Sequence, residues 1–485
     1  MSSPPLASGP EGPGALRPLL DTVLDALRAG GAARGGPLPA GGPDHVARAF
    51  REAVGEILPR KGSEDALHTV VRVLAQGSAD PADPRCAAHL HCPPLAVATA
   101  ADLAAGALNP SLDSWDQAPA ASVLEELVTR TLAEEIYGAG DRAGDRAGDR
   151  AGDRAGDSGA ETGAPGPTTA DALVTTGGTE ANQLALLLAR ETHGGVRLVC
   201  GANAHHSLTR AAWLLGLPEP VVVPAPAGTL DPAALDAALT ALPGPPGSLL
   251  VAATAGTTDA GLIDPLPGIA DLCHTHGARL HIDAAYGGGL LFSDRRRARL
   301  DGLERAHTVA VDLHKLGWQP VAAGLLAVRD PNDLRALAHP TDYLNADDDT
   351  RAGLPDLLGR SLRTTRRPDV LKIAVTLKTL GRDGLGTLVD HVCDLAHAFA
   401  RLVAAHPGFE LHDHPTISTV LFRPAGATDP EVAALRRTLL TEGSAVLGRA
   451  RLDGRLWLKA TLLNPHTSTD DLAALLALVE GHTAR

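Results

Sequence analysis

The 485-residue sequence predicts an α/β protein: a largely parallel sheet with helices on both faces, followed by a smaller C-terminal α+β domain. Two observations lead there. Between residues 171 and about 330, short apolar runs alternate with helical stretches, and strands that are apolar throughout belong to a sheet covered on both sides. From about residue 368 helical periodicity returns, then an alternating pair of segments and a closing helix, the layout of a small α+β unit.

Seven runs qualify as strands of the large sheet: 172–175, 197–200, 220–223, 248–253, 280–282, 308–311 and 324–328. The alternating pair covers 416–422 and 455–463. Ahead of them, residues 1 to about 18 are rich in Pro and Gly and read as a loose arm. Helical spacing follows at 16–33, 43–58, 95–107 and 120–136. Four Gly-Asp-Arg-Ala units between residues 140 and 155 alternate charge and repeat glycine, which favours a solvated loop without a catalytic role. The expected division is therefore 1–85 as an arm and helices that pack on a partner subunit, 86–367 as the large domain with 138–168 inserted, and 368–485 as the small domain.

Composition narrows the function classes. With 44% hydrophobic and 21% charged residues the chain is globular. A formal net charge of -14 and the lack of a basic stripe argue against nucleic acid as a partner. Cys86, Cys92, Cys200, Cys273 and Cys393 are odd in number and contain no CxxC pair, so neither a disulfide framework nor a metal site is expected. The first residues lack the basic and apolar regions of a signal peptide and no run is long enough to span a bilayer, so a cytoplasmic location is expected.

One run stands out, Val309-Ala310-Val311-Asp312-Leu313-His314-Lys315. Lysine occurs only at positions 61, 315, 372, 378 and 459, arginine supplying the other basic groups. A lysine amine can lose its proton and condense with a carbonyl, which arginine cannot do. The apolar run brings Lys315 to a strand's carboxyl end, where open α/β sheets place their ligands. A lysine that only snorkels to solvent would read the same from this run alone.

Four further stretches supply a context. Thr175-Thr176-Gly177-Gly178-Thr179-Glu180-Ala181-Asn182 puts glycines at a strand-to-helix turn, a phosphate cradle built from N–H groups and the positive helix end, or an ordinary capped turn. His281-Ile282-Asp283-Ala284-Ala285 places a carboxylate at the end of an apolar strand, where it needs a cationic partner, either a protonated ring nitrogen or an arginine. His205 opens a helix and offers a flat imidazole over the sheet edge, or a cap. Tyr343, in Asp342-Tyr343-Leu344-Asn345, lies just after the last strand of the sheet. Cradle, stacking group, carboxylate and imine-forming lysine are together what a pyridoxal phosphate site requires.

The chain resembles the group II pyridoxal-phosphate-dependent amino acid decarboxylases over roughly residues 60–485. The matching motifs are NPSLDSWDQAP from residue 109, TGGTEAN from 176, HIDAAY from 281, DLHK from 312, DYLN from 342, TTRR from 364 and LKATLLNP from 458. This resemblance implies an aspartate-aminotransferase-like (fold type I) sheet, pyridoxal 5'-phosphate as cofactor and an obligate homodimer with its site at the interface. It implies Lys315 as the Schiff-base lysine, Asp283 as partner of the pyridine nitrogen, His205 as the ring-stacking residue and Tyr343 as the mobile-loop proton donor. Gly178, Thr179, Thr257, Ala285 and His314 match further cofactor-binding positions, and the density of functional side chains in the 89–94 and 109–117 stretches suggests His91, Pro93, Trp115 and Asp116 as the substrate pocket. The motifs look most like the branch that decarboxylates diamino acids such as 2,4-diaminobutyrate, lysine or ornithine, with aromatic amino acids the alternative. Asp113 or Asp116 could receive a distal ammonium, or be a solvated loop acid. Related enzymes that use oxygen to make an aldehyde typically replace the loop tyrosine, and Tyr343 is kept, so an amine product is expected. Two departures stand against the pattern: the Gly-Asp-Arg-Ala insertion, and Pro368-Asp369 where an aromatic residue commonly follows the arginine pair.

Overall fold

The structure, a computed structural model, describes residues 4–138, 170–242, 244–338, 344 and 347–483. The Gly-Asp-Arg-Ala repeat and Tyr343 lie outside the described residues.

Five helices come first: α1 (Gly12–Arg34), α2 (Gly42–Val54), α3 (Ala66–Gly77), α4 (Ala96–Leu108) and α5 (Pro119–Tyr137). The N-terminal arm is shorter than expected, because Pro13 falls in the first turn of α1, where a missing N–H costs nothing. Helix α3, not foreseen, packs along α1, yet Leu19, Leu24 and Leu27 of α1 and Leu67, Val70 and Leu74 of α3 remain exposed.

The large sheet then alternates with helices: β1 (Asp171–Thr175), α6 (Gly178–His193), β2 (Arg197–Gly201), α7 (His206–Leu214), β3 (Val221–Val223), α8 (Pro232–Thr240), β4 (Leu249–Thr254), α9 (Leu266–Thr275), β5 (Arg279–Asp283), β6 (Thr308–Asp312) and β7 (Gly324–Val328). Its seven strands run in the order β1-β7-β6-β5-β4-β2-β3. Only β7 is reversed, pairing antiparallel with both β1 and β6. The expected seven-stranded, mostly parallel sheet is therefore present. Every residue of β4, β5, β6 and β7 is buried, which is what continuous apolar runs covered on both faces require. One face packs against α5, α9 and the helix that follows the sheet, the other against α6 and α7.

That following helix, α11 (Val370–Ala405), comes after the short α10 (Asp347–Arg351). It bends at Gly381, whose φ of +62° leaves the helical region, and along its length it serves two cores: residues up to Cys393, Ile373 and Val389 among them, join the large sheet, and Phe399 and Val403 near its C-terminal end join the small one. The small sheet is four-stranded in the order β10-β11-β9-β8, formed by β8 (Phe409–Leu411), β9 (Thr419–Pro424), β10 (Gly448–Leu452) and β11 (Arg455–Thr461). Helices α12 (Asp429–Thr441) and α13 (Thr469–Thr483) accompany it. The expected pair is β9 and β11, and the flanking β8 and β10 went unread.

Candidate active site

Because β1, β4, β5 and β6 run the same way, their carboxyl ends meet at one edge, bringing Thr175, Thr254, Asp283 and Asp312 side by side. A cavity of about 310 Å³ opens there, lined by Gly178, Thr179, His205, Asp283, His314 and Lys315 among others. Segments more than a hundred residues apart in the chain are thus joined at one place.

The turn from β1 to α6 supplies the glycines. Gly177 has φ +153° and ψ -178°, a conformation essentially reserved for glycine. A Cβ there would lie 3.1 Å from the His314 ring, and one on Gly178 would lie 3.0 Å from the Cβ of Ala285. Glu180 secures the turn by accepting from the N–H and the hydroxyl of Thr176, both at 2.7 Å. Free N–H groups at the start of a sixteen-residue helix then face the cavity beside a wall that carries no side chain.

Lys315 Nζ donates to Asp312 Oδ2 at 2.9 Å, and His314 Nε2 approaches the same oxygen at 3.5 Å. The other oxygen, Asp312 Oδ1, is buried without a hydrogen-bond partner among the described residues, as is Thr254 Oγ1. The N–H of Ala323 donates to His314 Nδ1 at 3.2 Å, and burial holds that ring below the ordinary histidine range. Beneath it, Cys92 Sγ donates to the His314 carbonyl at 3.2 Å, with burial pushing the thiol up to about 12 so that it keeps its proton. This contact brings the His89–Pro93 segment to the lysine turn: Leu90 lines the cavity, Pro93 is half-buried and His91 is exposed.

Asp283 ends β5. Its Oδ1 accepts from the N–H of Ala285 at 3.1 Å and its Oδ2 from Asn182 Nδ2 at 2.8 Å. His205 is the N-cap of α7, its Nδ1 2.7 Å from Ser207 Oγ and 3.3 Å from the Ser207 N–H. Burial lowers its pKa, offset in part by Asp283. Tyr286, fully buried, ties the edge to the small sheet through Ser418 Oγ at 2.8 Å and Thr419 Oγ1 at 3.1 Å.

Of the residues expected at the site, Gly178, Thr179, His205, Asp283, Ala285, His314 and Lys315 surround this cavity. Thr257 is buried next to it, but its hydroxyl accepts from the N–H of Leu262 at 3.0 Å inside its own turn. Trp115 lines a different, larger cavity of about 650 Å³ together with Glu125 and Arg360, and Asp116 is exposed. Asp312, Asn182 and Ser207 were missed. Asp312 stood inside the DLHK motif and Asn182 inside TGGTEAN; Ser207 had no sequence signal.

These features fit one kind of ligand, a flat, phosphorylated aldehyde. The side-chain-free wall and helix start accept a phosphate, Lys315 can form an imine, Asp283 can pair with a ring cation, and Asp312 Oδ1 and Thr254 Oγ1 await partners. Fold and site together define a pyridoxal-phosphate enzyme.

Comparison with known proteins narrows the class. Residues 55–425 match the family described as the pyridoxal-dependent decarboxylase conserved domain. An L-2,4-diaminobutyrate decarboxylase from Rhizobium meliloti is 41% identical over 83% of this chain and 78% of its own length. Another, from Acinetobacter baumannii, is 31% identical over 87% of this chain and 84% of its own. The glutamate decarboxylase domain of a Vibrio parahaemolyticus protein, described as diaminobutyrate-pyruvate transaminase and L-2,4-diaminobutyrate decarboxylase, superposes with a TM-score of 0.81. That match covers 99% of this chain and 97% of that one at 30% identity. The chain belongs to the pyridoxal-dependent decarboxylase family and is a pyridoxal-phosphate-dependent carboxy-lyase.

Proposed function

We propose that the protein decarboxylates a diamino acid, foremost L-2,4-diaminobutyrate, to the corresponding amine. The observation that carries the substrate is the 41% identity to a relative of that name, more than the 27% found for the acidic amino acid decarboxylases.

Bound in the cavity, pyridoxal phosphate supplies the electron sink for the pair left behind when carbon dioxide departs. Lys315 would hold it covalently, and Gly178 and Thr179 would donate to its phosphate from the first turn of α6. Asp283, whose two oxygens accept from the Asn182 amide and the Ala285 N–H, would face the ring nitrogen and hold a proton there. His205, which lines the cavity, would lie against the ring face. Tyr343 delivers a proton to the carbon that has lost its carboxylate, giving the amine rather than an aldehyde.

The apolar residues left exposed on α1 and α3 support a homodimer in which the N-terminal helices pack on the partner subunit. Among the described residues no helix is long and apolar enough to cross a membrane, and we place the enzyme in the cytoplasm.

The test is a competition assay on purified holoenzyme with 2,4-diaminobutyrate, lysine, ornithine, tyrosine, tryptophan and glutamate, following amine, carbon dioxide and hydrogen peroxide. The reading expects 2,4-diaminobutyrate to be consumed first, with no peroxide. Preference for an aromatic or acidic substrate, or peroxide matching turnover, overturns it.

A further inference from the structure

Behind the cavity lies a chain of buried polar side chains contributed by α6, α7, β5 and β6. Asn182, Ser207 and His281 are wholly inaccessible, and Thr308 and Asp283 nearly so. His281 Nδ1 is 2.9 Å from Thr308 Oγ1, and His281 Nε2 is 2.9 Å from Asn182 Oδ1. Asn182 Nδ2 reaches both Asp283 Oδ2 and Ser207 Oγ at 2.8 Å, and Ser207 Oγ reaches His205 Nδ1 at 2.7 Å.

Donor and acceptor chemistry leaves one way to place the hydrogens. A carboxylate only accepts, so the Asn182 amide must turn its NH2 toward Asp283, leaving its oxygen toward His281. An amide oxygen only accepts, so His281 must carry its hydrogen on Nε2. Burial keeps His281 neutral, which leaves Nδ1 bare for the Thr308 hydroxyl. The second Asn182 hydrogen goes to Ser207 Oγ. The Ser207 hydroxyl hydrogen then goes to His205 Nδ1, which also receives the Ser207 N–H. His205 is left with its hydrogen on Nε2.

We infer that Asn182, oriented by His281, is a positioning residue that aims the Asp283 carboxylate and, through Ser207, selects the Nε2–H form of His205. A single amide thus sets both the group proposed for the ring nitrogen and the group proposed for the ring face. In a low-dielectric interior a polar chain that is fully paired is rigid, and breaking one link leaves the next group buried and unpaired. The inference rests on the proposed cofactor contacts for its function, but its proton placement can be read separately.

The experiment uses holoenzyme labelled with nitrogen-15 in histidine. Long-range proton–nitrogen correlation spectra, assigned by signals lost in His205→Gln and His281→Gln, are expected to show both rings as Nε2–H. An Nδ1–H form of either ring overturns the inference. The near-isosteric Asn182→Asp, which can still accept from His281 but no longer donates to Asp283, is expected to raise the pyridoxal phosphate dissociation constant about tenfold and move the pH midpoint of the bound cofactor's visible band. Ser207→Ala is expected to leave that midpoint near its original place while loosening His205, seen as a weaker cofactor circular dichroism signal. Unchanged affinity and midpoint in Asn182→Asp also overturn it. A wild-type protein that takes up no pyridoxal phosphate would instead sink the proposed function, leaving the tautomers to be read in the same spectra.

Discussion

Lys315 Nζ lies 2.9 Å from Oδ2 of Asp312, three residues back along the chain, while Asp312 Oδ1 is buried with no hydrogen-bond partner among the described residues. The same carboxylate borders the glycine turn: a Cβ on Gly178 would be 3.4 Å from Oδ2 and one on Gly177 3.6 Å from Oδ1. With the cofactor bound as proposed, Asp312 would lose its ammonium neighbour and would face the phosphate as a second anion. Asp312→Asn removes that repulsion and adds two donors. Its dissociation constant for pyridoxal phosphate is expected to fall about tenfold, the worth of one charge-assisted hydrogen bond. Equilibrium dialysis measures it, and weaker binding would show that the carboxylate helps rather than opposes the phosphate.

Gly177 and Gly178 separate two effects of adding one methyl group. Gly177→Ala forces a side chain into a glycine-only backbone conformation with the His314 ring 3.1 Å away, at a cost of about 1–3 kcal/mol in folding stability. Gly178→Ala has helical backbone, crowds the Cβ of Ala285 and meets Asp312 Oδ2 at van der Waals distance, so its stability should stay within about 1 kcal/mol of wild type. Both should lose cofactor affinity. Denaturant unfolding of the cofactor-free forms, alongside dialysis, distinguishes them; equal stabilities would show that the turn is not strained.

The sheet could be read from the sequence because each of its strands carries enough apolar residues to be recognised without a partner. The three-residue β8 has a glutamate at its centre, whereas the equally short β3 is all valine. In β10, Gly448-Arg449-Ala450-Arg451-Leu452 looks polar because it lies at the edge of the small sheet, where two arginines face outward. The site divides the same way. Lys315, Asp283 and His205 were recognisable because each sits at a strand end or helix start with its chemistry exposed in a short motif. The link from His281 to Asn182 was not, since it joins β5 to α6 across 99 residues and exists only once the sheet is assembled.

Stability should fall on the acid side of neutrality through two imidazoles, the buried His281 and the half-buried His307. Burial holds His281 well below the usual histidine range, and burial together with Arg279 and Arg329 brings His307 down to about 4. In the unfolded chain both titrate near ~6.5. As pH drops below that value the unfolded chain takes up protons that the folded one refuses. The contribution is therefore complete above about pH 6.5, declines at on the order of 1.4 kcal/mol per pH unit per histidine, and levels off below the folded values. Guanidinium midpoints at pH 7.5, 6 and 5 should show this decline, and His307→Asn should make it shallower. An identical slope in that variant would move the acid sensitivity elsewhere.

The TTRR motif is explained by packing. Nη1 of Arg366 donates to both carboxylate oxygens of Glu125 at 2.9 and 2.8 Å, with both side chains nearly inaccessible. The Arg366 carbonyl also accepts from the N–H of Leu112, which anchors the NPSLDSWDQAP loop. Next to it, Arg367 pairs with Asp102 of α4 at 2.9 Å. Nε and Nη2 of Arg366 have no partner among the described residues, so the pair recovers only part of the cost of burying two charges. Removing one member leaves the other charged and alone. Arg366→Met is expected to cost about 3–5 kcal/mol, and the double variant Glu125→Leu with Arg366→Met much less than the sum of the single changes. Denaturant midpoints of the four proteins give the coupling energy. Additive losses would mean that the two residues act independently and that the motif holds the loop through its backbone alone.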